Sequence, residues 1–289
     1  MKGILLAGGT GSRLWPVTMG VSKQLLPLFD KPLVHYPLAT LMLSGIREIA
    51  IITTPRDQGA FKHLLGDGKD LGIDITYLVQ EKPEGLAQAF IIAERFIGES
   101  NCALILGDNF FHGAGVGQSL KTFSEGVGAQ IFAQKVIDPQ NYGIVTFDAE
   151  GKAILIEEKP EFPVSNYAVP GLYFYDNSVI EIAKNIVPSS RGELEISAVN
   201  QEYLQAGKLN VRVLPRGTVW MDTGTFAALH DATSYVRAIQ ERQGTRIACL
   251  DEISFRNGWI SKSQLLKNAN SYLGSQTAQY LTDLAESLL

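Results

Sequence analysis

Residues 2–14 read KGILLAGGTGSRL, and residues 22–27 read SKQLLP. The first stretch is an apolar strand pattern that runs directly into a glycine-rich turn. Glycine allows positive φ and lets successive backbone N–H groups approach a ligand without a Cβ in the way, which makes an anion-binding concavity. Arg13 and Lys23 place positive charge just behind that turn. The pattern predicts a phosphate-binding loop at the end of the first strand.

The spacing argues against two common phosphate loops. A P-loop needs GxxxxGK followed by Ser or Thr, and the chain has no such string. The dinucleotide fingerprint GxGxxG begins at Gly9 and Gly11, but Leu14 occupies the third glycine position. The glycines alone would also suit a tight turn with an exposed arginine. The two cations favour phosphate binding over that alternative.

Composition limits the class of protein. With 289 residues and 45% hydrophobic content, the chain can form one large α/β domain, with or without a helical appendage. A net charge of −5 predicts no nucleic-acid partner, so any phosphate must be bound by local groups. Cys102 and Cys249 are far apart and form no CxxC motif, which argues against a disulfide framework or a zinc site.

Membrane segments are not expected. The apolar run at Ile4–Ala7 is too short for a signal peptide, and no stretch approaches the ~20 apolar residues of a membrane helix. We therefore expect a cytoplasmic protein with no membrane partner.

Strand and helix patterns alternate up to about residue 135. Predicted strands are Gly3–Ala7, Glu48–Thr53, Asp74–Gln80, Cys102–Leu106 and Ala129–Val136, and Leu86–Ile97 has the clearest helical spacing. Such alternation favours a parallel sheet with helices on both faces. Ligands bind outside the carboxyl ends of parallel strands, so the glycine loop, Gln80 and residues 107–109 should meet at one edge.

The later pattern predicts a smaller, partly antiparallel lobe and then helices. Its expected strands are Tyr142–Phe147, Ala153–Glu157, Tyr167–Tyr175 and Leu209–Leu214, and Ile196–Gln205 is an expected helix. From Phe226 onward nearly everything has a helical pattern, interrupted at Gly258 and Gly274.

Two aspartates stand at predicted strand ends. Asp108 follows the apolar run ALILG, and Asp222 lies in WMDTG. Magnesium is usually held by one or two carboxylates together with substrate phosphates. Each aspartate alone could simply cap a turn. Together, beside a phosphate loop, they favour a Mg²⁺ site.

Other polar residues could complete a site for two phosphorylated ligands. Lys159 ends a predicted strand and Arg191 lies in a polar loop, so either could meet a second phosphate or belong to a solvated charge cluster. Gln80 and Gly85 suit the edge of a planar base, although their segment could also be an ordinary loop before a helix. No Ser-His-Asp, HExxH or Cys-His arrangement can be assembled. A phosphate monoester, with a second pKa near ~6, is already anionic and needs no activating base.

The chain resembles the glucose-1-phosphate thymidylyltransferases, a family of sugar nucleotidyltransferases. The resemblance covers almost the whole length, in order. It rests on LAGGTGSRLWPVT, SKQLLP, QEKPEGLAQA, LGDNFFHG, NYGIVTFD, EEKP, SNYAVPGLYFYDN, RGELEIS and WMDTGT. It implies a Rossmann-like α/β fold with a mixed central sheet, helices on both faces, a small β-rich sugar lobe and C-terminal helices.

The resemblance also implies a reaction and a site. Glucose 1-phosphate would attack the α-phosphorus of dTTP to give dTDP-glucose and pyrophosphate, as the first step towards dTDP-L-rhamnose. The catalytic residues implied are Arg13, Lys23, Asp108, Lys159 and Asp222, with Mg²⁺ on Asp108 and Asp222. The nucleotide residues implied are Gly8, Gly11, Ser12, Arg13, Lys23, Gln24, Gln80, Pro83, Gly85 and Asp108. The sugar-phosphate residues implied are Asn109, Gly143, Glu158, Lys159, Val169 and Arg191.

The same resemblance implies a division of the chain and its regulation. Residues 1–225 would form the transferase domain, with a nucleotide half up to about 135 and a sugar part over 136–225. Residues 226–289 would form a helical region for a homotetramer interface and for feedback by dTDP-L-rhamnose at Glu252, Ile253 and Arg256. Such helices could instead only bury an interface. Pro170 and Ser197 depart from the family pattern, which usually has threonine at both positions.

Two alternatives stay open. The same chemistry could use UTP or CTP in place of dTTP. A non-catalytic nucleotide-sugar sensor could share the fold, although such a protein would be expected to lose the cations or aspartates that this chain keeps.

Overall fold

A computed structural model describes residues 1–9, 11–113, 116–117 and 126–287. Its strands are β1 (Lys2–Ala7), β2 (Pro27–Leu28), β3 (Lys31–Pro32), β4 (Glu48–Thr53), β5 (Asp74–Val79), β6 (Cys102–Leu106), β7 (Asn109–His112), β8 (Ala129–Lys135), β9 (Gly143–Phe147), β10 (Ala153–Glu158), β11 (Tyr167–Ala168), β12 (Leu172–Tyr175), β13 (Leu209–Val213) and β14 (Val219–Asp222). Its helices are α1 (His35–Leu43), α2 (Gln58–Leu65), α3 (Gln88–Ile92), α4 (Glu94–Ile97), α5 (Val179–Asn185), α6 (Ile196–Gln205), α7 (Phe226–Gln243), α8 (Leu250–Arg256), α9 (Lys262–Ser271) and α10 (Gln276–Ser287).

The first part of the sheet is parallel, as the alternating pattern predicts. β1 lies between β4 and β6, and β5 lies beyond β4, with all of these pairs parallel. Both faces of β1 are apolar and buried. One face, with Ile4, packs in the hydrophobic core on one side of the sheet, and the other face, with Leu5, packs in the core on the opposite side. A parallel strand covered on both faces has such an unbroken hydrophobic run.

The second part makes the sheet mixed. The strand order is β10-β9-β11-β8-β12-β6-β1-β4-β5, with β13 paired to β8. β12 runs antiparallel to both β6 and β8, while β13 runs parallel to β8. The predicted mixed α/β architecture is therefore correct.

One predicted strand is broken, and Pro170 explains where. The run Tyr167–Tyr175 forms two short strands, β11 and β12, with residues 169–171 between them. Proline has no backbone N–H to give to a ladder. The N–H of Gly171 donates instead to Oδ1 of Asn109, at 2.9 Å.

One predicted helix is also divided. The run Leu86–Ile97 becomes α3 and α4, separated at Ala93. The helix begins after Ala87, whose N–H donates to the carbonyl of Leu194 at 3.1 Å. A tertiary contact thus replaces the first predicted turn.

The region after residue 225 is helical in the described residues, as predicted. The side chain of Thr225 caps α7 by accepting from the N–H of Ala228. α8, α9 and α10 pack on each other around Leu265 and Leu281. Residues 288–289 of the predicted region lie outside the described residues. Within the part of the chain that is described, no helix has both the length and the apolar character needed to cross a membrane.

Candidate active site

Three strand ends meet at one edge of the sheet. The N–H of Gly107, after β6, donates to the carbonyl of Leu6 in β1 at 2.8 Å. The N–H of Gln80, after β5, donates to the carbonyl of Thr53 in β4 at 2.9 Å. A Cβ on Gly8 would lie 2.2 Å from Oε1 of Gln80, so these two loops touch. The convergence predicted from the sequence is present.

The glycine loop is held by its own contacts. Gly11 has φ +61 and begins a short turn over Ser12–Leu14, in which Leu14 is buried and Arg13 is exposed. The hydroxyl of Thr18 donates to the carbonyl of Gly11 at 2.7 Å. Because the buried leucine anchors the turn, the arginine beside it points outward from a fixed backbone.

Lys23 and Asp108 form a largely buried ion pair. Lys23 Nζ donates to Oδ2 of Asp108, and Gln24, the next residue, is buried beside them. Burial alone would raise the pKa of the Asp108 carboxyl, but the charge and hydrogen bond of Lys23 lower it below its ordinary value. Asp108 therefore stays ionised at neutral pH.

A two-stranded ribbon brings Asp222 beside Asp108. β7 and β14 pair antiparallel with Asp222 opposite Asn109, and the N–H of Thr223 donates to the carbonyl of Asp108 at 3.0 Å. Oδ1 of Asp222 is buried and has no hydrogen-bond partner among the described residues. Burial and the nearby Asp108 charge raise the pKa of Asp222 to about 6. Such a buried acceptor, beside a second carboxylate, suits a cation.

Asn109 fixes the position of Asp108. Its Oδ1 accepts from Trp220 Nε1 at 2.6 Å and from the Gly171 N–H, while its Nδ2 donates to Oδ1 of Asp108 at 2.9 Å. Sequence reasoning proposed Asn109 only as a sugar-phosphate residue and did not predict the contacts of Trp220 and Gly171. The tryptophan of WMDTGT was a visible signal, but its partner lies 111 residues away.

Arg13 also reaches this ribbon. A Cβ on Gly224 would lie 3.1 Å from Nη2 of Arg13 and 2.9 Å from Oδ1 of Asp222. The arginine and the aspartate are therefore neighbours, and the glycine of WMDTGT makes room for both. This role of Gly224 was not predicted.

One cavity of about 350 Å³ lies beside the glycine loop. Its lining includes the predicted residues Gln80 and Pro83, and also Trp15 and Met19, which were not predicted; the other lining residues are Gly9, Thr18, Thr54, Arg56 and Glu81. A mostly apolar wall with one buried amide suits a planar base.

A second cavity, of about 110 Å³, lies on the other side of the loop. Arg13 and Asp222 line it, and so do five predicted sugar-phosphate residues: Asn109, Gly143, Glu158, Lys159 and Val169. Lys159 has φ +42, which is unusual for a residue with a side chain. Burial raises the pKa of Glu158, and the hydroxyl of Ser197 donates a hydrogen bond to it. The serine that departs from the family pattern thus has a partner in the cavity wall.

Arg191 does not line this second cavity, although it contacts Glu158 in the cavity wall. Its guanidinium donates to Oε1 of Glu195 at 2.8 Å and is 3.5 Å from Oε1 of Glu158. Its side chain is thus engaged by carboxylates, and its role with phosphate stays a prediction.

Gly85 joins the loops of the two cavities. It has φ +111, and an added Cβ would lie 2.4 Å from backbone atoms of Leu194. The N–H of Leu194 donates to the carbonyl of Glu84 at 2.8 Å, and its carbonyl accepts from Ala87. Only glycine allows this approach.

The proposed regulatory residues lie elsewhere. Glu252, Ile253 and Arg256 line a separate cavity of about 340 Å³, together with Tyr36 and His112. Arg256 Nε donates to Oε1 of Glu252 at 2.6 Å. These residues share a cavity, and its ligand stays a prediction.

Known proteins resemble this chain over nearly its full length. The family model described as nucleotidyl transferase matches residues 2–238. A protein of Mycobacterium tuberculosis named glucose-1-phosphate thymidylyltransferase is 54% identical over 286 residues, covering 99% of each chain.

Two solved structures share the fold. A Bacillus anthracis crystal structure in complex with sucrose has a TM-score of 0.76 and 40% identity, covering 82% of this chain and 95% of its own. The crystal structure of UDP-glucose pyrophosphorylase complexed with UDP-glucose has a TM-score of 0.73 at 22% identity; the match covers 84% of this chain and 99% of that chain. The second likeness concerns the fold alone.

Proposed function

This chain belongs to the nucleotidyl transferase family and, within it, to the glucose-1-phosphate thymidylyltransferases; from that premise we propose which substrates its two cavities bind and how its residues act. The substrates would be dTTP and glucose 1-phosphate, and the products dTDP-glucose and pyrophosphate. The observation that carries the proposal is the pair of cavities on either side of one phosphate loop. Gly9 faces one cavity and Arg13 faces the other.

The reaction needs two phosphates to meet at that loop. An oxygen of the sugar phosphate would form a bond to the α-phosphorus, while the bond from that phosphorus to the bridging oxygen breaks and pyrophosphate leaves. The attacking oxygen is already anionic, so no protein base is required. Positioning and charge stabilisation then supply the rate.

The cations have distinct places in this scheme. Arg13, in the wall of the second cavity beside Asp222, would hold the phosphate at which the bond forms. Lys159, in the wall of the second cavity, would hold the sugar phosphate, together with Arg191. Lys23 would stabilise the leaving pyrophosphate. Orienting both ligands in this way turns a bimolecular encounter into a local reaction.

The two aspartates fit a magnesium ion. The unpartnered, buried Oδ1 of Asp222 beside ionised Asp108 offers the oxygen ligands that Mg²⁺ prefers. Within the described ranges no group of three or more His, Cys, Asp or Glu residues could form a complete protein cage. Magnesium usually takes only one or two carboxylates from the protein and its remaining ligands from substrate phosphates and water. When bound, Mg²⁺ would offset negative charge on those phosphates.

A nucleotide panel tests the proposal. Pyrophosphate release is measured with glucose 1-phosphate, Mg²⁺ and each of dTTP, UTP and CTP. We expect the highest kcat/KM with dTTP. A higher value with UTP or CTP would refute the assignment of dTTP, and binding without turnover of any nucleotide would favour a sensor.

The proposal extends to regulation and place in metabolism. We propose a cytoplasmic homotetramer in the synthesis of dTDP-L-rhamnose, with that product binding at the cavity of Glu252, Ile253 and Arg256. Arg256 supplies the positive charge that a diphosphate would need. Added dTDP-L-rhamnose should inhibit the wild type, and Arg256→Ala should raise the concentration needed for half inhibition. Equal inhibition of both proteins would place the regulator elsewhere.

A further inference from the structure

A chain of side-chain hydrogen bonds stands behind the buried amide of Gln80. Nε2 of Gln80 donates to Oε1 of Gln88 at 2.6 Å. That oxygen also accepts from the N–H of Glu84 at 3.2 Å, and Nε2 of Gln88 donates to Oε2 of Glu84 at 2.8 Å. Gln88 is thus held by Glu84 on one side and faces Gln80 on the other.

The donor and acceptor types fix both amides. A carboxylate only accepts hydrogen bonds and a backbone N–H only donates them. Glu84 therefore sets Gln88 with its oxygen towards the N–H and its nitrogen towards the carboxylate. Because Gln88 then presents an oxygen to Gln80, only the nitrogen of Gln80 can face it.

The oxygen of Gln80 is consequently turned to the opposite side. It lies against Gly8, where an added Cβ would be 2.2 Å away, next to the cavity that Gly9 and Gln80 line. A flip of Gln80 alone would set two oxygens against each other. A joint flip with Gln88 would also break both contacts to Glu84.

This orientation selects among pyrimidines. Thymine and uracil carry a hydrogen on N3, whereas N3 of cytosine is an acceptor. An amide oxygen that faces the cavity can accept a hydrogen bond from N3–H of thymine or uracil, but it repels the N3 lone pair of cytosine. We propose that Glu84 and Gln88 are positioning residues that fix the Gln80 amide and so favour nucleotides whose N3 carries a hydrogen over cytosine nucleotides. This rests on the proposed function, because it assigns the base to the 350 Å³ cavity.

Substitutions at residue 88 test the inference through a ratio. The ratio of kcat/KM for dTTP to that for dCTP is measured with saturating glucose 1-phosphate. Gln88→Lys replaces the acceptor with a donor and should turn the Gln80 oxygen towards residue 88. We expect the ratio to fall roughly 10- to 100-fold, the effect of one mispaired buried hydrogen bond.

Two further variants separate orientation from structure. Gln88→Met removes both polar atoms, so the amide can rotate and the ratio should fall by less than with lysine. Gln88→Glu keeps an acceptor towards Gln80, so the ratio should stay near the wild-type value even if the rates fall. Gln279→Lys is the matched control, because Gln279 donates to Asp283 four residues on, in the remote helix α10; its ratio should not change.

The outcomes are distinct. An unchanged ratio in the lysine and methionine variants, or an equal loss in the glutamate variant, overturns the inference. Thermal unfolding checks that each variant is folded. If the lysine variant is not, the comparison of the dTTP/dCTP ratio between the methionine and glutamate variants decides. Calorimetric binding of dTTP and dCTP gives the same ratio without turnover. A wild type that prefers UTP would refute the proposed dTTP specificity but not this inference, since uracil also carries hydrogen on N3.

Discussion

Burial and the nearby charge of Asp108 make the ionised form of the Asp222 carboxyl unfavourable in the folded protein. Its pKa of about 6 in the folded protein exceeds the ~3.9 of an unfolded chain. Between these values the folded state binds more protons than the unfolded state. This contribution to the free energy of unfolding therefore falls as pH rises from about 4 to 6. Asp108 has the opposite effect. Folding lowers its pKa, so its contribution to the free energy of unfolding is lost as pH falls.

Asp222→Asn should therefore stabilise the metal-free protein while strongly reducing its activity. Relative to the wild type, the free energy of unfolding should rise more at pH 7.5 than at pH 4.5, because the variant lacks the group that is ionised at the higher pH. Turnover should fall by about 100-fold or more, because a ligand of the proposed magnesium site is lost. Urea unfolding at the two pH values and pyrophosphate release measure these effects. Asp231→Asn, at an exposed position in α7, is the control; identical behaviour of both variants would contradict the prediction.

The side chain of Lys159 lines the second cavity and not the first, which makes its proposed role at the sugar phosphate testable. Lys159→Ala should reduce kcat/KM by about 100-fold or more and raise KM for glucose 1-phosphate far more than KM for dTTP, because its cation lines only the second cavity. Initial rates with each substrate varied in turn would show the split. Lys152→Ala, on an exposed turn of the same lobe, should change neither constant. Equal effects on both substrates would show that the lysine is misassigned.

At the scale of elements, the β7–β14 ribbon depends on one close approach. An added Cβ on Gly171 would lie 2.7 Å from the side chain of Leu106 and 2.8 Å from Cγ of Asn109. We expect Gly171→Ala to lower stability by about 1–3 kcal/mol and to reduce activity, because displaced Asn109 no longer holds Asp108. Gly59→Ala is the matched control, since nothing lies within 4 Å of its Cβ position in α2. That change should stabilise by roughly 0.5–1 kcal/mol, and thermal unfolding compares the two.

The elements also show what sequence patterns could predict. Apolar runs such as ALIL end where the buried part of a strand ends, so Asp108 could be placed at a sheet edge. The neighbourhood of Asp222 could not be placed in this way, because it depends on the register of a ribbon that pairs Asp222 with Asn109, a residue remote from it in the sequence. In a hairpin the connecting turn fixes the register, but β7 and β14 are not consecutive strands and no such turn joins them. Pro170 shows the same limit: the sequence pattern predicted one strand over Tyr167–Tyr175, and neither its break nor the donation of the Gly171 N–H to Asn109 was predicted.

At the scale of the whole molecule, a buried polar cluster fastens the C-terminal helices to the sheet domain. Asn268 in α9 donates to Oδ1 of Asp251 at 2.8 Å and to the carbonyl of Asp70 at 2.9 Å. Asn268→Ala should cost about 1–3 kcal/mol, because it removes the hydrogen bond to a carboxylate oxygen of the buried Asp251. Lys267→Ala, which removes only an exposed ion pair with the same Asp70, should cost at most about 1 kcal/mol.

Denaturant unfolding and kinetics at 25 °C test this contrast. The kcat/KM for dTTP should be unchanged in both variants, since the cluster lies away from the two substrate cavities. Equal losses of stability in both variants, or a selective loss of activity in the asparagine variant, would contradict the prediction.

The backbone contact between Gly85 and Leu194 joins the loops that lie next to the two proposed substrate cavities. One loop borders the base cavity and the other leads into the helix that carries Ser197, and hydrogen bonds on both sides of Leu194 tie them together. Because the contact leaves no free space between the two segments, a shift of either one must displace the other. Binding of one substrate should accordingly change the affinity for the other by the same factor in both directions, which calorimetric titration of each substrate with and without the other would measure.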